Sequence, residues 1–125
     1  MQACRPRVSE VWPKGAAMLT TGKATKVTVY LSDTSKHRGV PIYTSVLDFL
    51  FKNGVYGATV TKGVAGFGSH HRMHAAHIME ISDHLPIKVE FIETAEKVQS
   101  ILPRLEEFGC GLIEMQETNV IVPKR

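Results

Sequence analysis

Two stretches of this chain alternate strictly between apolar and polar residues, and a helical stripe follows each one. In "KVTVYL", Val27, Val29 and Leu31 stand against Thr28 and Tyr30; in "LPIKVEFIE", Ile87, Val89 and Phe91 stand against Lys88 and Glu90. A period of two sends successive side chains to opposite faces, so each stretch reads as a strand with one buried face. After the first, Tyr43, Val46, Leu47 and Leu50 recur at i, i+3, i+4 and i+7. After the second, Val98, Ile101, Leu102 and Leu105 repeat the same spacing. That spacing lines one side of a helix, which must be buried against something.

The punctuation between these elements agrees with the pattern. Pro41 suits the first turn of a helix, where a missing N–H does no harm. Asn53-Gly54 closes that helix, Thr94 is placed to cap the second, and Gly109 ends it. Pro103 conflicts with the second stripe, because proline inside a helix removes a hydrogen bond at a cost of about 3 kcal/mol or more. "YGATVTKGV" reads as another strand with Ala58 and Val60 on one side, and Gly63 marks a bulge or a close approach by another backbone. "GLIEMQ" and "NVIVP" read as a fourth strand and a short fifth one.

The order β-α-β-loop-β-α-β describes an α+β chain. Two right-handed βαβ units on one antiparallel sheet give a ferredoxin-like βαββαβ sandwich with a long loop between strands 2 and 3. Both helices cover one sheet face. Apolar side chains left on the other face would cost about 1.5 to 3 kcal/mol each in lost burial, so oligomerisation is expected to cover it.

Length and composition fit that plan. The chain has 125 residues, 43% hydrophobic and 22% charged, as in a single soluble globular domain. No apolar run approaches the roughly 20 residues that span a bilayer, so membrane insertion is not expected. Residues 1–22 show no sustained period and read as a disordered N-terminal extension to a domain over residues 23–125. Cys4 and Cys110 form no CxxC pair, which favours a reducing, cytoplasmic setting. The net charge of +3 comes from scattered Lys and Arg without a basic run, so nucleic acid is not the expected partner.

One segment stands apart: "KGVAGFGSHHRMHAAH", Lys62 to His77. Five of the ten glycines lie between Gly54 and Gly68, and five of the six histidines lie between His70 and His84. Successive N–H groups in a glycine-rich turn can form a concave nest for an anion, with Lys62, Arg72 and the Lys36-His37-Arg38 stretch as sources of positive charge. The plainer alternative is that Gly63, Gly66 and Gly68 only permit a bulge and a tight loop base. His70 and His74 are i, i+4, and His74 and His77 are i, i+3. A helical turn would set all three on one side, where imidazoles can hold zinc or copper with Glu80 or a neighbouring copy's His71 as a further ligand. Acid–base work by His74 with Glu80 or Asp83 is a third option. The chain shows no nucleophile in a strained turn, no phosphate-transfer lysine motif and no framed pair of carboxylates, so no enzyme is expected.

These residues resemble a known family. "GATVTKGVAGFG", a His-rich loop, then "DHLPIKVEFIE" is similar to the second strand, long loop and third strand of PII-type signalling proteins. The PII-like branch known as domain of unknown function 190 is the nearest in pattern. The KHRGVPIY stretch (Lys36 to Tyr43), Gly57-Ala58-Thr59-Val60, Gly66-Phe67-Gly68, Arg72, His74 and Leu85-Pro86 carry the likeness, which covers roughly residues 24 to 122. "FGCGLIEM" offers Gly109 and Gly111 but lacks the lysine of the glycine–lysine phosphate loop that PII proteins carry before the fourth strand.

The resemblance implies a cytoplasmic homotrimer acting as a regulatory protein. A small anionic effector, in the first instance an adenine nucleotide, would sit in clefts between subunits. Gly66, Phe67 and Gly68 would floor the cleft, Arg72 and His74 would contact the ligand, and Lys36, His37 and Arg38 would add charge. The Gly63–His84 loop would then act on a partner enzyme or membrane transporter. The alternative is a zinc or copper sensor of the same fold that uses His70, His74 and His77.

Overall fold

The computed structural model describes residues 18–32, 36–37, 39–67, 74–75 and 85–124, with residues 36, 37, 74 and 75 described by their backbone. The first alternating stretch lies in β1 (Gly22–Ser32). A hairpin of β2 (Lys36–His37) and β3 (Val40–Pro41) leads into helix α1 (Ile42–Lys52), with Pro41 at its N-cap. Asn53 caps the far end, and Gly54 takes φ +72°, the left-handed turn that frees the chain from the helix. β4 (Ala58–Lys62), the short β5 (Ala65–Gly66) and β6 (His74–Ala75), and β7 (Pro86–Glu93) follow. Helix α2 (Ala95–Glu106) and β8 (Leu112–Val120) complete the described chain.

The main sheet has the order β4-β7-β1-β8, with every neighbour antiparallel. This is the ferredoxin-like arrangement expected from the element order. Register carries the alternation across the sheet: Val27 faces Phe91 and Met115, Val29 faces Val89 and Ile113, and Val60 faces Val89. Directly opposed residues share a face, so these side chains form the floor on which the helices sit. Val46 and Leu50 of α1 and Val98, Ile101 and Leu105 of α2 close the core from above.

β8 is one strand. The expected break between a fourth and a fifth strand does not occur, because eleven-residue β1 offers a continuous partner from Tyr30↔Leu112 to Gly22↔Val120. Thr21 extends the pairing: its hydroxyl accepts from the Val122 N–H at 2.9 Å, and nearby Leu19 is buried. Helix α2 runs through Pro103, which is exposed in its last turn. The carbonyl deprived of a partner is that of Gln99, on the exposed side, where water can satisfy it.

The helix-free face bears out the reason given for oligomerisation only in part. It is mostly polar, with Lys26, Thr28, Tyr30, Lys88, Glu90 and Glu114, but Leu112, opposite Tyr30, and Ile92, opposite Lys26, share it. Lys26 and Lys88 lie 3.8 and 3.9 Å from the Glu90 carboxylate, and the Tyr30 hydroxyl donates to Glu114 at 3.1 Å. Its polar part is stable against water, and Leu112, 62% exposed, is its one large exposed apolar side chain among the described residues.

Candidate functional site

The glycine-rich segment begins where β4 ends. The Gly63 N–H donates to the Pro86 carbonyl at 2.8 Å, adding one bond beyond the last paired residues, Lys62 and Ile87. A Cβ on Gly63 would lie 2.9 Å from Cγ of Pro86, and one on Gly66 would lie 3.1 Å from the same atom. Neither glycine is in the left-handed region. What these two positions require is therefore space for the proline ring, and the close approach expected at Gly63 is observed.

Beyond this point the chain forms a narrow ribbon. β5 pairs antiparallel with β6, Ala65 opposite Ala75 and Gly66 opposite His74. Two candidates eight residues apart in sequence are thus brought side by side. Phe67 follows and is 59% exposed, while Val64 before it is 77% exposed. Lys36 and His37 form β2, opposite Pro41 and Val40, in the hairpin beside α1. Gly68, Arg72, His70, His77 and Arg38 lie outside the described residues.

His74 is in extended, paired backbone, so the helical turn that would align His70, His74 and His77 does not pass through it. A strand sends residues to alternating faces at a period of two, not 3.6. Among the described residues no group of three His, Cys, Asp or Glu side chains is placed to hold a metal ion.

Sequence reasoning missed the opposite edge of the sheet. A groove of about 410 Å³ runs beside β8, lined by Leu102, Glu106, Cys110, Leu112, Ile113 and Met115. Leu112 is 62% and Met115 47% exposed. Burial pushes the Cys110 thiol above its ordinary pKa, which makes it a poor nucleophile. The available signal was the apolar content of "GLIEMQ", which exceeds what one buried face of an edge strand needs.

Exposed large apolar side chains gather near the two sheet edges. Tyr56, Val64 and Phe67 flank β4, and Met18, Leu112, Met115 and Ile121 lie in or near β8. Val40 and Phe51 are the others among the described residues. The two edge patches differ in composition, and the β4 edge leads directly into the ribbon.

A sheet of this order, with two helices on one face and a long excursion between β4 and β7, is that of PII-like proteins. The fold matches CPII, a nitrogen regulatory PII-like protein from Thiomonas intermedia K12 whose structure holds ADP, AMP and bicarbonate. The TM-score is 0.60 at 24% identity, covering 78% of this chain and 88% of that one. A second structure of that protein, at 2.3 Å, gives a TM-score of 0.59 at 20% identity, covering 82% and 99%. The profile of the family DUF190 (Uncharacterized ACR) matches residues 24–120, and the chain belongs to that family. The UPF0166 protein MJ1524 of Methanocaldococcus jannaschii is 32% identical over 100 residues, which cover 78% of this chain and 92% of the relative. A UPF0166 protein of Aquifex aeolicus is 28% identical over 93 residues, covering 74% and 89%. No helix among the described residues is long and apolar enough to cross a membrane.

Proposed function

We propose that this chain is a PII-like regulatory protein that binds a small anionic effector, an adenine nucleotide, in clefts between three copies of itself. The observation that carries this reading is the placement of exposed apolar surface at two unlike edges of one sheet, with the glycine ribbon at one of them. Unlike patches associate head to tail, and a head-to-tail contact that closes makes a ring. In such a ring the β4 edge of one copy, with Gly66 and Phe67, meets the β8 edge of the next, with Leu112 and Met115. The cleft between them offers an apolar wall for a planar base and backbone N–H groups for phosphate oxygens.

Arg72 and His74 contact the ligand in this reading, with Lys36, His37 and Arg38 supplying further positive charge. The ligands named for the Thiomonas CPII protein, ADP, AMP and bicarbonate, supply the first candidates. The Gly63–His84 loop takes one of two arrangements according to the ligand, and so permits or blocks a protein partner in the cytoplasm. A tenfold difference in affinity between the arrangements moves their balance by about 1.4 kcal/mol. No chemical turnover is part of the role.

The test is thermal melting of the purified chain with AMP, ADP and ATP, each with and without bicarbonate, and separately with zinc. A nucleotide at 100 times its dissociation constant is expected to add about 2.7 kcal/mol of stability. The gain should shrink in Phe67→Ala and Arg72→Ala. No response to any nucleotide would remove the effector, and a response to zinc alone that is lost in His74→Ala would put the metal sensor in its place.

A further inference from the structure

We propose that Pro86 positions the effector turn: with Gly63 and Gly66 it forms a clasp that fixes the base of the long loop, so that ligand-dependent movement begins after Gly66. The second half of this statement rests on the effector reading above; the clasp itself does not.

Three observations build the clasp. The Gly63 N–H is bonded to the Pro86 carbonyl at 2.8 Å, which ties the outgoing chain to the returning one. The Pro86 ring occupies the space that a side chain on Gly63 or Gly66 would need, with Cβ positions 2.9 and 3.1 Å from its Cγ. Heavy-atom contacts between carbons are comfortable only near 3.5 to 4.0 Å, so neither position tolerates even a methyl group without displacing the ring. Pro86 itself is held between Leu85 and Ile87, both buried in the core.

Proline suits this place for two reasons. Its φ is locked, so the ring cannot swing aside as a flexible side chain would. Its missing N–H is harmless at the first residue of a strand. The glycines wrap over a rigid peg set in the core, and Val64 between them is 77% exposed and adds little anchoring. From Gly63 to Gly66 the backbone is therefore part of the sheet's frame. In the effector reading the backbone at Gly66 is thus held by Pro86 before any ligand arrives, and preorganisation of this kind raises affinity by lowering the ordering cost.

A ligand-independent cycle tests the clasp in the full chain. Amide hydrogen exchange at position 63 is measured in wild type, Gly63→Ala, Pro86→Ala and the double variant. Because Gly63 has no left-handed requirement, the alanine harms only through the ring. Exchange should rise about tenfold in Gly63→Ala, within the range that overpacking produces, and return close to the Pro86→Ala value in the double variant. Gly66→Ala, with its longer contact, should show a smaller rise of the same kind. A double variant as poorly protected as Gly63→Ala, or a Gly63→Ala indistinguishable from wild type, would overturn the proposal.

ADP then tests where movement starts. It should alter exchange after Gly66 and leave position 63 protected, and a loss of protection at 63 on adding ADP would also overturn the proposal. No ADP effect at any amide counts against the effector reading, while the substitution cycle still decides the clasp.

Discussion

Glu93 is a buried carboxylate held by partners from three parts of the chain. The alternation of β7 places it on the core side after Ile87, Val89 and Phe91, and its side chain is 1% exposed. Its carboxylate accepts the Tyr56 N–H at 2.8 Å and the Thr94 N–H at 2.9 Å. The Lys97 ammonium lies 3.9 Å away and donates to the Gly54 carbonyl at 3.0 Å. One buried pair thus ties the turn after α1 to the start of α2. Removing the ammonium leaves the buried Glu93 carboxylate with N–H donors but without its counter-charge, so Lys97→Ala should cost about 3 to 5 kcal/mol in urea unfolding. The exposed Lys52–Asp48 pair at 3.0 Å is the control, with a loss of about 0.5 kcal/mol or less for Lys52→Ala.

Tyr30 gives a second prediction at this scale. Its hydrogen bond to Glu114 is the main cause that raises its pKa above the ordinary 10.0, with partial burial next. The protonated phenol is favoured in the fold. Its contribution is therefore complete below the unfolded value and is lost as pH rises through the raised one. Phenolate absorbance should titrate above 10.0 in wild type and move down towards it in Glu114→Ala.

Among the elements, α2 shows how a local signal sets a boundary. The Thr94 hydroxyl accepts from the Lys97 N–H at 3.1 Å, satisfying one of the open donors of the first turn. Thr94→Ala should cost about 1 kcal/mol by chemical denaturation, and Thr94→Ser should retain most of it. Caps, stripes and alternating strands were legible because each is written in neighbouring residues. The ribbon was not. β5 and β6 are Ala-Gly and His-Ala, two residues each with no alternation to read, yet they pair antiparallel. Gly63 announced a close approach, but its counterpart, Pro86, lies 23 residues further on and acts through its ring and its backbone carbonyl, neither of which a sequence pattern shows. Histidine spacing suggested a helical cluster because spacing carries no information on backbone conformation, and His74 is extended. Glu93 was in phase for burial, yet a lone carboxylate in an apolar strand gives no sign of the lysine four residues later that accompanies it inside.

For the whole molecule, the decisive fact is where exposed apolar surface lies. Most of the broad helix-free face is a network of lysine, glutamate and tyrosine that water satisfies, with Leu112 exposed at its β8 margin. The narrow edges carry Phe67 and Val64 on one side and Leu112 and Met115 on the other. An edge strand with exposed apolar side chains is a template for association, and proteins that leave such edges open usually cover them. A charge placed at the β8 edge should disrupt assembly and spare the monomer: Leu112→Glu is expected to change stability by no more than about 0.5 kcal/mol, since surface substitutions rarely do more. The proposed cleft loses its second wall in that variant, so ADP should no longer raise its melting temperature.

Sedimentation equilibrium of the full chain at micromolar concentration, beside Leu112→Glu, is the most direct test. A species of three copies that falls to a folded monomer on the substitution is the predicted result. A wild-type chain that sediments as a monomer, or an assembly indifferent to the new charge, would contradict an effector cleft built between the β4 and β8 edges.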